Sequence, residues 1–140
     1  MSIVAVLQGS PETDTLTTLS ALAMARQLNV PLTGLCALPD PQSAMMVVST
    51  PESAGLSAAA VTSIIEMQKE VLAKAQAAFR DVTGAGAHGI DCTFVHQVGT
   101  VETAAAGAAT LADALVFPRS ASKPAEPLSI AFDHVMMDAR

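Results

Sequence analysis

The residues best suited to chemistry lie where short apolar runs stop. The run Ile3-Val-Ala-Val-Leu7 ends at Gln8-Gly9-Ser10-Pro11 and passes straight into a helical pattern. Gln8 carries an amide that can contact a base, a ribose or a loop, since it both donates and accepts hydrogen bonds. Gly9 permits a tight turn, and Ser10 has a hydroxyl placed to cap the free N–H groups of the next helix. Pro11 suits the first helical position, where it has no N–H to lose. A later run, Ala114-Leu-Val-Phe117, ends at Pro118-Arg119-Ser120, and Arg119 is the cation at that mouth best able to meet an anion. In an open parallel sheet such strand ends border the ligand crevice. Gln8, Gly9, Ser10, Pro118, Arg119 and Ser120, with Ala37 near the end of a second run, therefore form one candidate crevice. The plainer reading stands beside it: residues 8–11 are a strand-to-helix turn in which Ser10 caps, and Arg119 is a solvated surface group.

Other candidate chemistry is thin. Ser10 lacks the Gly-x-Ser-x-Gly surroundings of a nucleophile elbow. His88, His96 and His134 fall in a loop, a strand end and a helix, without the spacing of metal ligands or a catalytic base. Cys36 and Cys92 sit on separate expected strands and read as small buried thiols rather than a disulfide. No catalytic residue and no metal ligand is assigned. The patch Met45-Met-Val-Val48 lies in a long connection, Pro39 to Leu56, and reads as a flap, an interaction surface or packing for its own loop.

The elements that must position these residues follow from the hydrophobic pattern. Uninterrupted apolar runs imply strands buried on both faces, as in parallel sheets. The first helix is expected over 11–28, with Leu16, Leu19, Leu22 and Ala23 on its buried face and a stop near Asn29, ahead of Pro31. A second strand spans 32–38. Ser57 is placed to cap a second helix with Val61, Ile64, Ile65, Val71, Leu72, Ala75, Phe79 and Val82 on one face, ended by Gly84 and Gly86. A third strand over 90–96 precedes a third helix over 101–112, capped by Thr100. A fourth strand over 114–117 and a polar loop over 118–127 lead to a last helix presenting Leu128, Ala131, Phe132, Val135 and Met136. The order βαβαβαβα predicts a parallel sheet with right-handed crossovers. A last helix that delivers no further strand leaves strand 4 an unprotected edge.

Composition narrows the function classes. The 140 residues suit one domain that buries about 68% of its unfolded surface without disulfide or metal. Aromatic residues make up 3%, with neither Trp nor Tyr, which argues against stacking on single-stranded nucleic acid. Seven basic residues are scattered among thirteen acidic ones, and the net charge of -6 repels a phosphate backbone. No apolar segment reaches a membrane span, and the first run lacks the basic start of a signal peptide, so a cytoplasmic protein is expected.

The pattern resembles the universal stress protein family. Ile3-Val-Ala-Val-Leu-Gln-Gly-Ser10 is similar to that family's first strand and Asp-Gly-Ser turn, and Leu32-Thr-Gly-Leu-Cys-Ala-Leu38 to its second strand. Val98-Gly-Thr-Val-Glu-Thr-Ala104 is similar to the turn into its third helix, and Leu111-Ala-Asp-Ala-Leu-Val-Phe117 to its fourth strand. The resemblance implies a Rossmann-like, adenine nucleotide alpha hydrolase-like α/β fold with strand order 3-2-1-4-5, so the four strands of this chain are expected as an open parallel sheet ordered 3-2-1-4 with two helices on each face, strand 5 being missing or supplied by another segment. Phe132-Asp-His-Val-Met-Met-Asp-Ala-Arg140 resembles the last helix of members in which a fifth strand and often a second such domain follow. That implies the truncated first domain of a tandem chain, with a homodimer or second stress-protein domain as partner. Two departures matter. ATP-binding members carry Asp where Gln8 stands, and a Gly-x2-Gly-x9-Gly-Ser/Thr phosphate loop where this chain has Phe117-Pro-Arg-Ser-Ala-Ser-Lys-Pro-Ala-Glu-Pro-Leu128. That segment has no glycine, and its three prolines lack N–H donors, so a backbone phosphate cradle is not expected.

These readings favour a non-catalytic stress-response or regulatory domain that works by binding and by dimer or interdomain contacts, with no cofactor and ATP not favoured. The alternatives are a nucleotide-binding stress protein with a variant crevice and at most weak ATPase activity, and an unrelated flavodoxin-like domain. The near absence of aromatic residues for flavin stacking counts against the last.

Overall fold

The structure, a computed structural model, describes residues 1–41, 54–124, 126 and 128–138. The Met45 to Val48 patch lies outside the described residues. Strands β1 (Ile3–Leu7), β2 (Leu32–Leu38), β3 (Cys92–Val98) and β4 (Ala114–Val116) form one parallel sheet in the order β3-β2-β1-β4. Helices α1 (Pro11–Leu28), α2 (Ala54–Gly86), α3 (Val101–Ala109) and α4 (Ser129–Asp138) connect or follow the strands, and a 3-10 turn (Arg119–Ser122) comes after β4. The fold is the open α/β, Rossmann-like sheet that the apolar runs predict. No helix among the described residues is long and apolar enough to cross a membrane.

Alternation along the strands divides the core between the two faces. Ile3, Ala5 and Leu7 of β1 join Leu32, Cys36 and Leu38 of β2 against Ala21, Leu22 and Ala25 of α1 and Ala75, Phe79 and Val82 of α2. Val4, Val6 and Leu35 face the other way, toward Ala104 of α3 and the Ala121, Leu128 and Phe132 side chains around α4. Gly34 makes the first face tight. A Cβ there would stand 2.7 Å from the Phe79 ring, so only glycine lets that ring lie on the strand. Phe79 also packs at a tilt on Phe94, with ring centroids 5.9 Å apart.

Several expected boundaries and faces are corrected. α2 begins at Ala54, so Ser57 is a helical residue and not its cap, and the helix continues through Gly84. β3 is displaced to Cys92–Val98, α3 ends at Ala109, β4 ends at Val116, and the supposed polar loop contains the 3-10 turn. Ile65 is exposed rather than on the packed face of α2. The largest correction concerns α1, which buries Asp14, Thr17, Thr18, Ala21, Leu22 and Ala25 while Leu16 and Leu19 are 61% and 49% exposed and Ala23 is exposed too. Its rotation is set by Asp14, whose carboxylate is tied to the turn at the end of β1. Thr17 and Thr18 tolerate burial because their hydroxyls donate to the carbonyls of Thr13 and Asp14. At the other end Asn29 takes a left-handed conformation, φ 54°, and closes the helix where expected.

Candidate functional site

The crevice over the carboxyl ends of β1 and β2 follows from a length mismatch. At about 1.5 Å per residue, a helix of 33 residues is roughly twice as long as a 7-residue strand at about 3.3 Å per residue. A helix connecting parallel strands runs back against them, so the N-terminal half of α2 overshoots the strand ends. There Ile64, Met67, Gln68 and Val71 wall an open cleft of about 340 Å³, floored by Leu7, Gln8, Ala37, Leu38 and Pro39 and closed by Val101 and Leu128. None of these lining residues is titratable. The polar side chains are two amides, and the Gln68 amide already donates to the Pro39 carbonyl at 2.6 Å.

The turn beside this cleft is held by a residue that the sequence pattern does not mark. Asp14 is fully buried, and its two carboxylate oxygens accept from the Gln8 N–H at 3.0 Å and the Gly9 N–H at 2.8 Å. Gly9 has φ +83°, and a Cβ there would lie 2.6 Å from a Val71 methyl, so glycine is required both by the backbone and by α2. Burial pushes the Asp14 carboxyl above its usual range, and the two N–H donors counter this in part. Cys36 shares this interior. Burial, with a smaller contribution from the Asp14 charge, pushes its thiol up to about 11. The expected capping role of the Ser10 side chain is corrected: Ser10 occupies the cap position, yet its hydroxyl makes no capping bond and donates instead to Thr13 Oγ1 at 3.3 Å. Thr100, by contrast, caps α3 as read, accepting from the Thr103 N–H at 3.2 Å.

The seven candidate residues do not share one cavity. Gln8 and Ala37 line the cleft just described. Pro118, Arg119 and Ser120 line a separate groove of about 370 Å³ on the α1 side of β4, with Thr13, Leu16, Thr17 and Ser20. Gly9 and Ser10 belong to the turn between them and line neither. The division arises because the chain after β4 folds at once into the 3-10 turn between Pro118 and Lys123. Asp14 could have been suspected as an acidic residue in the first turn of a helix, a favoured position near the positive end of the dipole. Met67 and Gln68 carry no such signal, because their place in the cleft comes from the overshoot of α2.

Cys36 and Cys92 are both free thiols. His134 pairs with Asp138 one turn along α4 at 3.3 Å, on the surface. Among the described residues no group of three His, Cys, Asp or Glu side chains is arranged to hold a metal ion. The chain matches no family model, and no curated protein matches it.

Proposed function

We propose that this protein is a non-catalytic regulatory domain of the universal stress protein type, acting by binding and by contacts with a second copy or a second domain. The observation that carries the reading is the chemistry of the cleft over β1 and β2: among the described residues its lining is eight apolar side chains, Pro39 and two amides, with no acid, base or nucleophile. Such a lining suits an uncharged, largely apolar ligand oriented by the Gln8 amide, and it offers nothing that would turn a substrate over. A triphosphate finds little here. Arg119 lines a different groove from Gln8 and Ala37, and the segment after β4 is a 3-10 turn whose flanking prolines provide no N–H.

The nucleotide-binding alternative keeps one supporting observation, since a cleft of about 340 Å³ with two amides has room for a base. Calorimetry decides between them. An apolar fluorescent dye should bind the cleft and be displaced from Met67→Glu, a change at a 65% exposed wall residue that the fold tolerates. Magnesium-ATP should give no heat under the same conditions. Micromolar ATP affinity that is abolished by Arg119→Ala would overturn the reading in favour of a nucleotide sensor.

A further inference from the structure

We infer that Met67 is a modification site for hydroperoxides, and that its conversion to the sulfoxide weakens ligand binding in the cleft over β1 and β2. This rests on the reading above, in which that cleft takes a largely apolar ligand. Ile64, Met67, Gln68 and Val71 recur at helical spacing on α2 and form one wall. From floor to rim the cleft grades in exposure. Leu7, Leu38 and Leu128 are buried, Ile64, Gln68 and Val71 are half-buried, and Met67 is 65% exposed. Met67 is thus the wall residue that solvent and small oxidants reach in the free protein, and the one whose exposure a bound ligand changes most.

Chemistry singles out the same residue. Among the described lining residues Met67 alone carries a group that a peroxide oxidises. The thioether sulfur attacks one peroxide oxygen, the O–O bond breaks and an S–O bond forms. The sulfur is oxidised by two electrons, and the second oxygen leaves as water, or as an alcohol from an alkyl hydroperoxide, with the proton that the first oxygen gives up. The sulfoxide has nearly the shape of the thioether but is polar and a strong acceptor, so an apolar ligand seated against it strips its water without replacing the hydrogen bond. The thiols do not compete for this role. Cys36 is fully buried, Cys92 lies on β3 away from the cleft lining, and burial raises both, which leaves little thiolate for a peroxide to attack. A ligand that covers Met67 also shields it, so binding and oxidation oppose one another.

The test treats the full chain with dilute hydrogen peroxide and follows each methionine by peptide mass, with Met136 and Met137 of α4, 62% and 77% exposed, as internal references. The apolar dye of the titration above should slow oxidation at Met67 and leave the two references unchanged. Oxidised wild type should bind the dye about tenfold more weakly than untreated wild type, and methionine sulfoxide reductases should restore the affinity. Met67→Leu keeps every other methionine and both cysteines, so the same peroxide treatment should leave its affinity at its own untreated value. Sulfoxide at Met67 with no change in dye affinity would overturn the inference, as would an equal peroxide-induced loss in Met67→Leu. Failure of untreated wild type to bind the dye would instead overturn the cleft reading, and with it the inference that rests on it.

Discussion

β1 and β4 lie side by side in the sheet, and their carboxyl ends are built in opposite ways. Every residue of β1 is buried, its turn is fixed by a carboxylate with two N–H donors, and the helix above it leaves no room for a side chain at Gly9. β4 has three residues, each only half-buried, and passes into a 3-10 turn beside two open hollows. A strand with neighbours on both sides and helices on both faces has its conformation set from all directions. A strand at the edge of the described sheet is set from one side only.

The contrast would be lost if truncation cost the same in both places. Phe79→Ala, beneath the β1 and β2 side of the core, should cost about 3–5 kcal/mol in urea unfolding, because the emptied site is enclosed by Gly34, Phe94 and the strands. Val116→Ala, at a half-buried position, should cost about 1 kcal/mol or less. Comparable losses would mean that β4 is as enclosed as β1.

The turn gives the next effect. Asp14→Ala leaves the Gln8 and Gly9 N–H groups without their acceptor and should cost about 1–3 kcal/mol, while Ser10→Ala should cost well under the ~1 kcal/mol typical of a cap, since its hydroxyl caps nothing. Equal losses in thermal melts would show that Asp14 secures the helix start no more than Ser10 does.

Titration sharpens the same point. The Asp14 carboxyl is raised above its ordinary 3.8 in the folded protein, chiefly by burial, so its proton is held more tightly folded than unfolded. Its contribution to stability is therefore complete below about pH 3.8 and is lost as pH rises through the folded value. The difference between the wild-type and Asp14→Asn stability curves should fall across that interval, and a rising difference would reverse the assignment. The smallest effect is on thiol reactivity. Cys36, fully buried and raised to about 11, should resist a thiol reagent at neutral pH in the folded state, whereas the partly exposed Cys92 should react slowly and first. Reaction of both at one rate would place Cys36 nearer the surface.

Much of the fold is legible in the chain. Uninterrupted runs such as Ile3 to Leu7 and Leu32 to Leu38, each closed by glycine or proline, specify strands buried on both faces, and the helical spacing between them specifies parallel crossovers. The place of β4 beside β1, as an outer strand of the described sheet, agrees with the order that the resemblance implies. Side-chain detail is less legible. Leu16 and Leu19 belong to the apolar stripe of α1 by spacing, but the helix is turned by the bond between Asp14 and the β1 turn, and a pattern of hydrophobicity has no means of weighing one buried carboxylate against two leucines. The sequence by itself determined the alternation of strands and helices, the parallel pairing it implies and the absence of glycine after β4, because these depend on local conformational preference and hydrophobic period. Only the tertiary structure decided that Gln8 and Arg119 serve different hollows, that the long overshoot of α2 walls the cleft, and that Asp14 is the anchor. Those outcomes depend on distances between segments far apart in the chain, which are fixed only when the helices settle on the sheet.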